Sequence, residues 1–366
     1  MRIVFCGGGT AGHISPAIAI AEELMKDKNT EILFIGREGG GENEAVIRRG
    51  YNIKTITIEG FERRLNFDNI KRLFLAEKAI RTSRRYLKDF SADIVVGTGG
   101  YVCWPVIKAA QRLNIPTVIH ESNASPGLVS RLLSRKCDLV LLNLEGAKSR
   151  FKYKDNIRVV GNPISEDFSK TTRHAARKKI GISDSKLVIS SFGGSGGSKA
   201  LNDVIIDIMN SHSSKNKNII HIHSSGKKYF EEIKKLYPEY TSDKSRCVIK
   251  PYIKDMPALL AASDIIITRC GAMTLTEISA AGVPAIMIPS PNVTGNHQYE
   301  NAKLFAEGGA GIIIEEKDLS ERTLLDALRH LENTPKERKV MGEKMREFYK
   351  ENAREIIVKE IKSQIK

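Results

Sequence analysis

Short runs of aliphatic and β-branched residues alternate along this chain with longer stretches whose apolar positions recur at helical spacing. In the first half the candidate strands are Ile3–Cys6, Ile32–Ile35, Ile53–Ile58, Asp93–Val96, Thr117–His120, Leu139–Leu142 and Ile157–Val160. The second half repeats the rhythm with Leu187–Phe192, Ile219–His223, Val248–Ile253, Ile265–Thr268, Ala285–Ile288 and Gly311–Ile314. Strands separated by helix-length segments predict parallel βαβ units, hence an α/β architecture. The first series ends in turn residues at Gly161-Asn-Pro-Ile-Ser165, and a polar, basic stretch from Ser169 to Lys179 precedes the next strand. We therefore expect two doubly wound, Rossmann-like parallel-sheet domains facing each other across a cleft. The tail from Pro335 to Lys366 reads as helical, with Met345, Phe348, Ile356, Ile357 and Ile361 near helical spacing.

The totals agree with two domains. A chain of 366 residues exceeds one ordinary core and suits two of about 150–200 residues each. Its 41% hydrophobic and 28% charged residues point to neither a disordered nor a spanning protein. No apolar run approaches the ~18 residues needed to cross a bilayer, and Met1 to Gly7 reads as a first strand rather than a signal-peptide core. The five cysteines (Cys6, Cys103, Cys137, Cys247, Cys270) are scattered without C-x-x-C spacing, so reduced thiols are expected and no zinc site. A net charge of +15 favours nucleic acid, anionic membrane or phosphorylated substrates without choosing among them.

Three glycine clusters narrow that choice: Gly7-Gly-Gly-Thr-Ala-Gly-His13, Gly97-Thr-Gly-Gly-Tyr101 and Gly193-Gly-Ser-Gly-Gly-Ser198. Each follows a predicted strand and precedes a predicted helix. That is the carboxyl edge of an open α/β sheet, where ligands bind. Glycine allows close backbone approach, and the following helix aims free N–H groups at an anion. A tight turn would explain any one of them; three together favour a phosphate-rich ligand. The first is a poor dinucleotide fingerprint, because Phe34-Ile-Gly-Arg37 ends the second strand without an acidic residue. No G-x-x-x-x-G-K-[ST] loop occurs.

Several ordered segments together resemble the MurG family of peripheral N-acetylglucosaminyltransferases of peptidoglycan synthesis. They are Gly7–His13, His120-Glu-Ser-Asn123, Gly161-Asn-Pro163, Gly193–Ser198, Gly271-Ala-Met-Thr-Leu-Thr-Glu277 and Asn296-His-Gln-Tyr-Glu-Asn301. The resemblance spans essentially the whole chain and implies the GT-B fold. Residues 1–162, completed by a helix near 350–366, would form the acceptor- and membrane-facing domain, and residues 163–349 the UDP-sugar-binding domain. It further implies transfer of N-acetylglucosamine from UDP-N-acetylglucosamine to the C4 hydroxyl of the muramoyl sugar of lipid I (undecaprenyl-diphospho-muramoylpentapeptide). Lipid II and UDP are the products, with inversion at the anomeric carbon and no cofactor.

On this resemblance His13 is the general base, and a helix N-terminus would keep its ring neutral and able to accept a proton; a side chain merely finishing the loop is the plainer alternative. Glu277 would accept hydrogen bonds from the donor ribose, although alone it reads as a solvated helical glutamate. Gln298 can donate and accept and would meet the sugar hydroxyls. Ser195 and neighbouring amides would hold the diphosphate, and Ile253 would lie beside the uracil. Asn123 with the backbone of Thr10, Ala11 and Gly12 would complete the donor site from the first domain. Tyr101, His120 and Glu121 are acceptor-side candidates. Two departures stand out: Ser165 occupies a position where the family commonly carries Arg, and His297 replaces one of a common Gln pair. With no D-x-D pair to hold a divalent metal, the charge on the departing UDP is expected to be met by amides and a helix dipole.

The densest basic stretch holds Arg63, Arg64, Lys71, Arg72, Lys78, Arg81, Arg84, Arg85 and Lys88, interleaved with Leu65, Phe67, Ile70, Leu73, Phe74, Leu75, Ile80 and Leu87. An amphipathic basic helix suits an anionic bilayer surface, here the cytoplasmic side of the cell membrane; an ordinary core-packing helix is the competing reading. Other transferases or nucleotide-sugar epimerases of the same fold remain alternatives. Nucleic acid is not an expected partner, since no helix-turn-helix, RNA-recognition or zinc-finger signature occurs.

Overall fold

The structure is a computed structural model describing residues 1–8, 11–41, 43–60, 68–242 and 245–365; for Ala11 and residues 68–71 it describes the backbone alone. It divides into two compact units, Met1–Ile164 with Lys350–Lys366, and Ser165–Tyr349. The first holds seven strands: β1 (Arg2–Cys6), β2 (Glu31–Arg37), β3 (Asn52–Ile56), β4 (Ile94–Gly97), β5 (Thr117–Glu121), β6 (Leu139–Leu142) and β7 (Ile157–Val159). The second holds β8 (Leu187–Phe192), β9 (Ile219–Ser224), β10 (Cys247–Lys250), β11 (Ile265–Thr268), β12 (Ala285–Met287) and β13 (Gly311–Ile313). Both sheets are wholly parallel, in the orders β3-β2-β1-β4-β5-β6-β7 and β10-β9-β8-β11-β12-β13. The order reverses between β1 and β4, and again between β8 and β11, so each unit has one topological switch point at its carboxyl edge.

Alternation along the strands explains the continuous apolar runs. In β1, Val4 and Cys6 face the helices Asp68–Phe90 and Cys103–Gln111, while Ile3 and Phe5 face the helices Ala11–Leu24 and Ala353–Lys362. A strand covered on both faces has no polar side to show. In the second unit Ile189 on β8 and Ile265 and Ile267 on β11 pack with Leu201, Ile205 and Ile208 of the helix Lys199–Ile208 and with Leu324, Leu328 and Leu331 of the helix Glu321–Asn333.

Two expectations change. The strand expected over Val248–Ile253 stops at Lys250, because Pro251 has no N–H to extend the ladder, and Ile253 lies in the loop beyond. The tail holds two helices: Pro335–Arg346 lies in the second unit and Ala353–Lys362 in the first. Asn352 breaks it in the left-handed region, at φ 57°, and Ile357 and Ile361 then pack beside Ile14 and Ile18. The basic stretch contains the helix Asp68–Phe90, whose Ala79, Ile80, Ser83 and Leu87 are buried. It is a core-packing helix through its second half; Arg63, Arg64, Leu65 and Phe67 lie outside the described residues, as does Thr10.

Candidate active site

In the first unit the β1 and β4 loops at the switch point close around His13. The ring is half-buried, and its Nδ1–H donates to the Gly8 carbonyl at 3.1 Å. A carbonyl can only accept, so in the neutral ring the lone pair belongs to Nε2. Thr98 Oγ1 donates to the His13 carbonyl at 2.7 Å and holds the first turn of the helix. Gly99 and Gly100 take φ of 109° and 83°, and side chains there would stand 2.7 Å from the His13 ring and 1.9 Å from the Gly8 carbonyl. These glycines are required by close approach as well as by backbone conformation. Cys103 Sγ completes the loop, accepting from Gly99 N at 3.3 Å and lying 3.1 Å from the Gly99 and Cys6 carbonyls. Gly12 is exposed in the first turn, and Tyr101 is half-buried with its ring against Gly60.

The segment after β5 is ordered by its own side chains. Glu121 is buried; its Oε1 accepts from Asn123 N and Nδ2, both at 3.1 Å, and its Oε2 accepts from Gly127 N at 3.1 Å. His120 is fully buried, and its Nε2–H donates to the Gly161 carbonyl at 3.0 Å. Its Nδ1 has no partner among the described residues, and burial lowers its pKa, keeping it neutral. Both were expected to meet a ligand on the acceptor side. Their described hydrogen bonds shape the Asn123 loop and tie β5 to the segment after β7.

In the second unit the Gly193–Ser198 loop ends at Ser198, which caps the helix Lys199–Ile208 by accepting from Leu201 N at 3.4 Å. Ser195 is exposed at the loop tip. Arg269, at the end of β11, donates through Nη2 to Ser198 Oγ at 2.6 Å and pairs with Glu316, while Nη1 donates to the Ile288 carbonyl at 3.2 Å. Its charge is balanced by Glu316, so what Arg269 supplies is a fixed position for Ser198 and with it for the helix N-terminus. Sequence reasoning missed Arg269, though its place at a strand end immediately before Cys270-Gly271 was a usable signal.

Glu277 lies in the helix Ala272–Ala281. Its carboxylate is desolvated without a compensating partner among the described residues, which pushes its pKa up to about 7. Gln298, second in the helix His297–Glu307, is more constrained than expected. Its Oε1 accepts from Cys270 N at 3.1 Å and Ser290 N at 2.9 Å, so its NH2 is what remains for a ligand, a correction to its reading as both donor and acceptor. Asn301 donates to the Cys270 carbonyl at 3.1 Å, so this helix and the β11 end are doubly joined. Ile253 is buried, His297 Nδ1–H donates to the Thr294 carbonyl at 2.8 Å, and Ser165 Oγ donates to Asp167 at 3.0 Å. Among the described residues no group of three His, Cys, Asp or Glu side chains could hold a metal ion.

Comparisons with known proteins agree with this arrangement. The glycosyltransferase family 28 N-terminal domain matches residues 3–142 and its C-terminal domain residues 188–359. A UDP-N-acetylglucosamine--N-acetylmuramyl-(pentapeptide) pyrophosphoryl-undecaprenol N-acetylglucosamine transferase from a Thermoanaerobacter species is 41% identical, covering 99% of this chain and 100% of its own. The enzyme of the same name from Caldanaerobacter subterraneus is 41% identical over 96% of this chain and 97% of its own. Among solved structures, Acinetobacter baumannii MurG superposes with a TM-score of 0.77 at 28% identity, covering 99% of both chains. With two parallel-sheet α/β units of the GT-B fold and relatives this similar along its whole length, the chain belongs to glycosyltransferase family 28 and, within it, to the MurG family of hexosyltransferases of peptidoglycan synthesis.

Proposed function

We propose that this enzyme transfers N-acetylglucosamine from UDP-N-acetylglucosamine to the C4 hydroxyl of the muramoyl sugar of lipid I, with His13 as general base. One observation carries the assignment of the base: the Nδ1–Gly8 bond leaves Nε2 as the basic nitrogen of the neutral ring. As the acceptor O4 attacks the anomeric carbon, its proton passes to Nε2. The bond from that carbon to the diphosphate oxygen breaks on the opposite face, inverting the centre, and UDP departs with the electron pair. The Gly193–Ser198 amides and the N-terminus of the helix Lys199–Ile208, held in place by Arg269, meet the developing charge. Glu277 accepts from the ribose hydroxyls, the Gln298 NH2 donates to the sugar, Ser195 contacts the diphosphate, and Ile253 lies at the base. Thr10, Ala11, Gly12 and Asn123 complete the donor contacts, and Tyr101 faces the acceptor.

The first unit is then the acceptor side, and the enzyme is peripheral to the anionic cytoplasmic face of the cell membrane. Supporting this, Leu73 and Phe74 of the helix Asp68–Phe90 are 60% and 75% exposed, beside exposed Lys78, Arg81, Arg85 and Lys88.

The experiment for the base is His13→Ala, assayed with a lipid I analogue beside UDP calorimetry. Turnover should fall by about 10²–10⁴-fold, the range for general-base catalysis, with UDP affinity kept. Near-parental turnover removes the role.

A further inference from the structure

Beneath the proposed diphosphate loop runs a buried polar chain that the reaction scheme does not use. On β8 and β9, Ser191 faces His223 in register, with His221 one step along the same face. Ser191 Oγ lies 3.0 Å from His221 Nε2 and 2.8 Å from His223 Nδ1. His221 Nδ1 lies 3.0 Å from Ser213 Oγ, and His223 Nε2 lies 3.0 Å from Asn202 Oδ1. Asn202 Nδ2 donates to the Ser225 carbonyl at 3.0 Å. All six residues are buried.

The far end sets the direction of every bond. The Ser225 carbonyl can only accept, so the Asn202 NH2 must face it and Asn202 Oδ1 must face His223. His223 Nε2 therefore carries the proton, and its Nδ1 accepts from the Ser191 hydroxyl; the Ser191 carbonyl, 3.1 Å away, is a neighbour without a proton between. Ser191 Oγ then accepts from His221 Nε2–H, and His221 Nδ1 accepts from the Ser213 hydroxyl. Each side-chain donor and acceptor in the series is matched once, and both imidazoles must be neutral. Burial holds them so, pushing His221 down to about 3 and His223 to about 4.

The chain ends against the loop itself. A side chain at Gly197, φ 73°, would stand 2.1 Å from the Ser225 carbonyl, and one at Gly226 would stand 2.7 Å from the Gly197 Cα. The β8 and β9 loops are thus seated backbone on backbone, and any shift of Ser225 is passed to Gly193–Ser198. Ser213 enters the chain from a π-helical turn, Met209–Ser213, a local irregularity often kept for a functional reason.

We propose that the series Ser213–His221–Ser191–His223–Asn202 is a positioning device that holds the Ser225–Gly226 backbone, and through it the Gly193–Ser198 loop, at the height the donor diphosphate requires. This rests on the reading of that loop as the diphosphate site.

The test uses Ser191→Ala, which removes the central hydroxyl, and Asn202→Leu, which removes the last link. Donor KM and kcat are measured with a lipid I analogue, UDP affinity by calorimetry, and hydrogen exchange on the peptide spanning 193–198 with and without UDP. Donor KM and UDP Kd should both rise about tenfold, the effect of one buried hydrogen-bonding group left unmatched. kcat should change by less than about threefold, and loop exchange should quicken. If Asn202→Leu does not fold, Ser191→Ala decides alone. UDP protecting the loop in the parent while a folded variant keeps KM, Kd and exchange overturns the positioning role only. A loop that UDP does not protect in the parent overturns the diphosphate reading, and the inference with it.

Discussion

At the scale of the residue, the proposed ribose contact of Glu277 predicts that donor binding is coupled to protons. Its folded pKa of about 7 lies above its ordinary value of 4.5. Between those values the native state therefore keeps a proton that the unfolded chain has released. Stability contributed by the neutral carboxyl is complete below pH 4.5 and is lost as pH rises through about 7. The loss amounts to as much as ~3 kcal/mol. Ribose hydroxyls donating to the carboxylate would reverse the preference, so UDP binding near pH 6 should release a proton. Calorimetry in two buffers of different ionisation enthalpy reads this directly, and an observed heat independent of buffer would sink the assignment. Glu277→Gln should flatten the pH dependence of unfolding while weakening UDP by about tenfold.

At the scale of the element, the helix Asp68–Phe90 presents two different faces. Ala79, Ile80, Ser83 and Leu87 turn inward, whereas Phe74, Lys78, Arg81, Arg85 and Lys88 fall on one exposed stripe. Arg84 is half-buried and is a poor choice for testing a surface role. Each basic group near an anionic surface contributes on the order of 1 kcal/mol. Reversing Lys78, Arg81 and Arg85 to Glu together should cut sedimentation with phosphatidylglycerol vesicles by at least about a hundredfold. Added salt should weaken the parent's binding as well. Undiminished sedimentation of the triple variant would show that this face does not meet the membrane.

At the scale of the molecule, the last helix returns to the first unit and closes its core. Ile357 and Ile361 are fully buried there, and large-to-small changes at such sites cost about 2–5 kcal/mol. Trp104, the single tryptophan, lies in the first unit, so its fluorescence follows that unit's unfolding in urea. Ile357→Ala should lower the midpoint of that transition and leave UDP affinity in place. An unmoved midpoint would mean that the terminal helix adds nothing to the first core.

Much of this was legible from the chain alone, for a local reason. A strand buried on both faces is mostly apolar, so most strands show in the residues themselves, although β8 and β9 also carry buried Ser191, His221 and His223. Glycine at a positive φ or a close approach likewise leaves its mark in place, as at Gly99, Gly100 and Gly197. Where strands end is also local when proline intervenes, as Pro251 does after β10. Other features depend on partners far apart in the chain. Whether Glu121 meets a ligand or ties its own loop, and whether Gln298 has a free oxygen, depends on which backbone groups the fold delivers beside them. Arg269 reaches Ser198 across 71 positions, and Ser191 meets His223 across 32. Composition and period carry no trace of such pairings, because parallel strand register and helix docking bring them together only when the unit folds.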